Sequence, residues 1–294
     1  MSTPIAHPGI VVGVDGSPAS KAAVCWAVRD AATHNVGLTF VHVISPTAAT
    51  WLDAPMPAGF AQWQQDRGQR ILNDSLKVVE DCTDQPPMQI NTEVIPSGTV
   101  STLVDLSKRA DMIVVGCRGR GALGRTPLGS VSSALIQHAH CPVAVIHRED
   151  PLMAHPAQAP VLVGIDGSPA SELATAIAFD EASRRSVDLV ALHAWSDVEA
   201  AEFPGVDWST LESLADEILV QRLAGWHERY PDVSVRRVVV CDRPAQQLIE
   251  QAESAQLVVI GSHGRGGFEG TLLGSVSATV VQSARMPVIV ARRS

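Results

Sequence analysis

The chain has 294 residues, 46% of them hydrophobic and 18% charged, and a formal net charge of −9. At roughly 100–200 residues per domain this length predicts two domains, each able to bury its own core, and the composition excludes a disordered chain. An acidic balance without a Lys/Arg run excludes nucleic acid or an anionic membrane surface as default partner, and no segment approaches the ~20 apolar residues of a membrane span.

The opening stretch, Met1–Ser17, has no basic segment followed by a long apolar core of the kind that directs secretion. Five cysteines (Cys25, Cys82, Cys117, Cys141 and Cys241) form no Cys-x-x-Cys pair and are odd in number. Neither a disulfide framework nor a cysteine-rich zinc site is expected, and the reducing cytoplasm is the expected compartment.

The first β-rich run, Ile10–Val14, stops at Asp15-Gly16-Ser17-Pro18. Ser17 is placed as a helix N-cap with Pro18 in the first helical position. The following helix spaces Ala22, Val24, Cys25 and Val28 for one buried face. A second apolar run, Leu38–Val43, leads through an irregular connector to a helix near Arg67–Cys82. The third run, Ile90–Ile95, precedes a helix carrying Leu103–Leu106. The fourth, Met112–Val115, enters a glycine-rich loop, then a helix, then a closing strand within Cys141–Ile146.

The same order then returns. "GVDGSPAS" at 13–20 reappears as "GIDGSPAS" at 164–171, and His42 matches His193 at the same offset of 151; the second half is six residues shorter thereafter. Its apolar runs are Val161–Ile165, Leu189–Ala194, Val233–Val240, Leu257–Ile260 and the end of Met286–Ala291, with a helix expected near Thr210–Tyr230. The proline-rich stretch between the copies reads as a linker. The predicted domains are therefore 1–147 and 160–294, joined by 148–159. Continuously apolar strands alternating with helices indicate parallel sheets buried on both faces, so each half is expected to be a doubly wound, Rossmann-like α/β domain with a five-stranded parallel sheet. Ligands of such sheets sit at the carboxyl ends of strands where strand order reverses. Asp15 and the loop at 116–130 both lie at carboxyl ends.

Three phosphate-binding templates compete for the loop. The P-loop needs a lysine that neither copy has. Gly-x-Gly-x-x-Gly matches at 119–124 but follows the fourth strand rather than the first, and the second copy loses its third glycine. The third template, Gly-x2-Gly-x9-Gly-Ser, is met by Gly116, Gly119, Gly129 and Ser130, and again by Gly261, Gly264, Gly274 and Ser275. Glycines let backbone approach a ligand closely, and a helix opening at Ser130-Val131 or at Ser275-Val276-Ser277 offers N–H groups and a positive dipole end to an anion. Arg118, Arg120 and Arg125 surround the first loop; the second supplies His263 and Arg265 but has Gly270 in place of Arg125, so it is expected to hold phosphate less strongly.

Two complete copies of this spacing, each with an Asp after strand one and a Pro (Pro142, Pro287) before the last strand, resemble the ATP-binding pattern of the universal stress protein family, in its tandem mycobacterial form. The resemblance implies a cytoplasmic, regulatory, stress-response protein that binds ATP, with Mg2+, at two sites. The implied contacts in the first copy are Gly13, Asp15, Val43, Gly116, Cys117, Arg118, Gly119, Arg120, Gly121, Arg125, Gly129, Ser130 and Val131. In the second they are Gly164, Asp166, Ala194, Gly261, Ser262, His263, Gly264, Arg265, Gly266, Gly274, Ser275, Val276 and Ser277. Beside phosphates a carboxylate repels, so Asp15 and Asp166 are expected to accept from ribose or adenine, with the backbone of Val43 and Ala194 next to the base. The plainer alternative is that the glycines only make a tight turn and each Asp only caps it.

No nucleophile, base or carboxylate pair converges on the loop from sequence, so binding with little or no hydrolysis is expected; the alternative is a slow ATPase or adenylyl transferase. His138, His140 and Cys141 are near enough for a metal but are absent from the second copy, and a structural role is expected. His42 and His193 read as satisfied core histidines, and Cys117 as a small residue, Ser262 in the second copy. Aromatics cluster in the connectors: Trp51, Phe60 and Trp63, then Trp195, Phe203 and Trp208. The last strand resembles a dimerisation edge in this family, so the halves are expected to pair through these strands and two chains to form a homodimer; a further protein partner is expected, its identity unknown.

Overall fold

The computed structural model describes residues 8–45, 59–83, 89–119, 128–147, 158–195, 208–241, 243–264 and 273–292. The chain divides into two compact units, one ending at Glu149 and the next beginning at Asp150.

In the first unit the elements run β1 (Ile10–Gly13), α1 (Pro18–His34), β2 (Leu38–Ile44), α2 (Phe60–Cys82), β3 (Ile90–Pro96), α3 (Thr99–Ser107), β4 (Met112–Gly116), α4 (Ser130–His138) and β5 (Val143–Ile146). All neighbouring strands are parallel, in the order β3-β2-β1-β4-β5. Strand order therefore reverses between β1 and β4, and the carboxyl ends of these two strands open the crevice where such sheets take ligands. Val11, Val12, Ile113 and Val114 are fully buried, as a sheet covered by helices on both faces requires.

The second unit repeats the plan: β6 (Val161–Gly164), α5 (Pro169–Arg185), β7 (Leu189–Trp195), α6 (Trp208–Arg229), β8 (Val235–Cys241), α7 (Pro244–Ala252), β9 (Leu257–Gly261), α8 (Ser275–Ser283) and β10 (Val288–Ala291). Its parallel order is β8-β7-β6-β9-β10. The element order read from apolar runs is the observed one in both halves. α2 begins at Phe60 rather than Arg67, because polar residues such as Gln62 and Asp66 decorate its exposed first turns and hide the helical period.

The buried face of α1 differs in detail from the expected one. Ala23, Val24, Ala27, Val28 and Ala31 face inward, while Ala22 and Cys25 are only half-buried. Cys25 instead forms a disulfide with Cys82 at the end of α2, with 5.5 Å between their Cα atoms. This overturns the expectation of a chain without disulfides. The partners stand 57 residues apart, on helices that only the folded unit brings together, so local cysteine spacing carries no trace of the pair.

The histidines of the second strands are satisfied, as expected. His42 Nδ1 donates to the carbonyl of Val14 and His193 Nδ1 to that of Ile165, each at 2.7 Å. Beside His42, Gly68 lets α2 sit close: a Cβ there would lie 2.9 Å from His42 Cδ2 and from Val94 Cγ1. Phe60 and Trp63 stack with centroids 5.7 Å apart, and Arg67 lies over Trp63. Trp51 and Phe203 lie outside the described residues. No helix among the described residues is long and apolar enough to cross a membrane.

Candidate functional site

β1 ends at Gly13, and the turn that follows is built by side chains. Asp15 Oδ1 accepts from the N–H of Ser17 at 2.9 Å, the bond by which aspartate closes a turn onto its own backbone. Ser17 caps α1 by accepting from the N–H of Ser20 at 3.1 Å, with Pro18 following it. Ser20 Oγ in turn accepts from the N–H of Asp15 at 3.2 Å. The hydroxyl of Ser17 also donates to the carbonyl of Arg118, 3.3 Å away, which ties the turn after β1 to the loop after β4.

That loop is pinned at both described ends. The N–H of Gly129 donates to the carbonyl of Cys117 at 2.8 Å, and Ser132 Oγ donates to the same carbonyl at 2.9 Å. The N–H of Cys117 is held by the carbonyl of Ile146 at 2.7 Å. Gly129 is the N-cap of α4 and supplies no side-chain acceptor. The N–H groups of Ser130 and Val131, in the first turn of α4, therefore have no cap side chain, and Ser130 is exposed. Gly119 packs directly on Asp15: a Cβ at Gly119 would stand 2.6 Å from Asp15 Oδ2. Both Asp15 and Gly129 are half-buried, and Arg118 and Gly119 are exposed.

The second copy reproduces this arrangement nearly bond for bond. Asp166 Oδ1 accepts from Ser168 N at 2.9 Å, Ser168 Oγ accepts from Ser171 N and donates to the carbonyl of His263, both at 3.2 Å, and Asp166 N donates to Ser171 Oγ at 3.2 Å. The N–H of Gly274 donates to Ser262 O at 2.8 Å, and a Cβ at Gly264 would lie 2.5 Å from Asp166 Oδ2. Gly274 caps α8 without a side-chain bond, leaving exposed Ser275 and half-buried Val276 in its first turn.

Two of the expected loop glycines, Gly116 and Gly261, also make room for a helix. A Cβ at Gly116 would come within 2.7–2.8 Å of Ala19, and one at Gly261 within 2.8–3.0 Å of Ala170, so these glycines let the first helix lie against β4 or β9. Gly13 and Gly164 similarly face leucines: a Cβ at Gly13 would lie 3.3 Å from Leu103, and one at Gly164 would lie 3.2 Å from Leu248. Cys117 and Ser262 turn their side chains into the protein, with 5% and 4% exposure, and Ser277 Oγ donates to the carbonyl of Gly261 at 2.7 Å. Their backbones shape the loop; their side chains are occupied or hidden. Val43 and Ala194 are half-buried near the ends of β2 and β7. Arg120, Gly121, Arg125, Arg265 and Gly266 lie outside the described residues.

Sequence reasoning took Ser17 and Ser168 as caps alone and missed Ser20, Ser132 and Ser171. The signal was present: both copies keep the serine three positions after the cap. It also missed Arg222 on α6, whose guanidinium covers the left-handed Gly167 (φ +81°) beside Asp166. His138, His140 and Cys141 do not converge as metal ligands among the described residues. Burial pushes the Cys141 thiol up to about 12, the wrong direction for a thiolate ligand.

Asp15 with Gly119, and Asp166 with Gly264, thus stand at two equivalent switch points, each next to a helix end that favours an anion. The arrangement offers a carboxylate acceptor at one side and N–H and hydroxyl donors at the other. Two such parallel sheets in one chain define a tandem doubly wound α/β protein. Sequence comparison gives its family: the Universal stress protein family matches residues 9–147 and again 159–292, and the chain belongs to it. A universal stress protein of Mycobacterium tuberculosis is 59% identical over 287 residues, 97% of each chain. One from Mycobacterium bovis is 55% identical over 295 residues and covers 100% of both. In fold, the chain is similar to the crystal structure of a universal stress protein from Archaeoglobus fulgidus, with a TM-score of 0.70, 20% identity, and coverage of 99% of this chain and 100% of that one.

Proposed function

We propose that this protein binds two adenine nucleotides, one in each unit, and acts as an ATP-binding regulatory protein of the stress response rather than as a dedicated enzyme. The observation that carries the reading is the repeated cradle. In both units an Asp carboxylate, a glycine that must lack a Cβ, and a glycine-capped helix N-terminus meet at the strand-order reversal.

ATP fits the donor set. Its phosphates take the N–H groups and hydroxyl at Ser130-Val131 or Ser275-Val276, in a position where the helix dipole favours negative charge. Arg118, or His263 in the second unit, flanks the same loop. Asp15 and Asp166 are acceptors only and are directed to hydroxyl or amino groups of the nucleoside. Mg2+ accompanies the phosphates and lowers their charge. The serine hydroxyls at 17, 132, 168 and 277 are committed to backbone carbonyls, and Ser262 Oγ, 3.0 Å from His263 Nδ1, is buried at 4% exposure and turned away from a substrate's reach. Slow or no turnover is the consequence.

The direct test is to denature freshly purified protein and identify released nucleotide by chromatography. Unhydrolysed ATP is expected. Quantitative conversion of added ATP to ADP or AMP, at a rate typical of enzymes, would replace this reading by an enzymatic one.

A further inference from the structure

The two units close the same helix–helix contact by different chemistry. In the second, Phe179 of α5 stacks on Trp226 of α6 and on Tyr230 just beyond its end, with centroids 5.5 and 5.7 Å apart, and Arg229 lies over both of the latter rings. In the first unit the residue matching Phe179, at the offset of 151, is Val28, which has no ring to stack. The Cys25–Cys82 bond joins α1 to α2 there instead. Position 176, which matches Cys25, is alanine, and α6 contains no cysteine.

We propose that Cys25 and Cys82 are a reversible redox site that latches α2 onto α1 in the first unit only. Both cysteines are half-buried rather than sealed in the core, so a small thiol or disulfide reaches them, and exchange requires such access. Cys117 and Cys141 are buried and are poor competitors for the same chemistry, while half-buried Cys241 stands on β8 of the second unit, where its own oxidation maps to a different peptide. Closing the latch follows thiol–disulfide exchange. One Cys thiolate attacks a low-molecular-weight disulfide, forms a mixed disulfide and expels one thiol. The second Cys then displaces the other, so two protein thiols are oxidised as one small disulfide is reduced to two thiols.

The latch sits where its state is transmitted. Arg29, one turn beyond Cys25, donates through Nε to the carbonyl of Cys82 at 3.3 Å and steadies the end of α2. In the N-terminal half of α2, Gly68 seats against His42, and His42 holds the carbonyl of Val14, next to Asp15. With the bond open, α2 loses its covalent tie to α1 and becomes the more loosely docked helix of the pair. α6, clamped by its aromatic stack, does not respond.

The test uses the full chain, fully reduced and then treated with oxidised glutathione, with native alkylation, peptide mapping and hydrogen exchange on each state. Oxidation is expected to link Cys25 to Cys82 and dithiothreitol to restore both thiols. Reduction should speed exchange severalfold in peptides from 22–31 and 70–82, and leave 173–182 and 215–229 unchanged. In peptides 22–31 and 70–82 the double variant Cys25→Ser/Cys82→Ser should exchange like reduced protein, with or without oxidant. Cys25 and Cys82 that stay alkylatable after oxidation, a link that resists dithiothreitol, or equal exchange in the two states of the unmutated protein would overturn the proposal. None of these readouts depends on nucleotide.

Discussion

Asp15 and Gly119 compete for one volume: a Cβ on Gly119 would lie 2.6 Å from Oδ2 of Asp15, and Gly264 stands in the same relation to Asp166 at 2.5 Å. A methyl group at 119 must therefore push the carboxylate aside or lift the loop. Because Gly119 is exposed and the obstructed atom ends a short side chain, folding should be little affected. Gly119→Ala is expected to weaken nucleotide binding in the first unit about tenfold or more, equivalent to ~1.4 kcal/mol, and to leave the second unit unchanged. Titration calorimetry resolves the two sites, and Gly264→Ala should give the mirror result.

Gly116 behaves differently because its neighbour is backbone. With Ala19 carbonyl carbon and oxygen 2.7 and 2.8 Å from the Cβ position, Gly116→Ala forces α1 away from β4. The overpacking cost is about 1–3 kcal/mol, read as a lower denaturation midpoint. Loss of binding without loss of stability would contradict this assignment.

The duplicated order of strands and helices, the caps at Ser17 and Ser168 and the carboxyl-end position of both loops were legible in the sequence. Each rests on local chemistry: an apolar run, a Ser-Pro step, a glycine spacing. The role of Gly116 was not, because its spacing in a loop motif says nothing of a helix laid across it from far earlier in the chain. The Cys25–Cys82 bond and the reach of Arg222 to Gly167 were hidden for the same reason: both arise between segments that meet only after the sheet has formed.

Ser17 joins two functions in one hydroxyl, accepting from Ser20 N and donating to Arg118 O. Ser17→Ala is expected to lose about 1 kcal/mol of stability through the missing cap. It should also loosen the loop after β4, so that nucleotide affinity falls in the first unit alone. Urea denaturation and calorimetry on the same sample separate the two effects.

His42 is expected to matter for stability rather than for ligand contact. His42→Phe fills much of the same space but leaves the Val14 carbonyl without its 2.7 Å partner, an omission that costs about 1–3 kcal/mol where the group is shielded from water. Guanidinium denaturation measures it, and His193→Phe should give a similar loss, since His193 is only 7% exposed.

The central claim is two adenine-nucleotide sites in one chain, and titration of ATP with Mg2+ into protein stripped of bound nucleotide tests it most directly. Binding to two sites per chain is predicted, with the site of the second unit the weaker and each weakened separately by Gly119→Ala or Gly264→Ala. A folded protein that takes up neither ATP nor ADP would contradict the account.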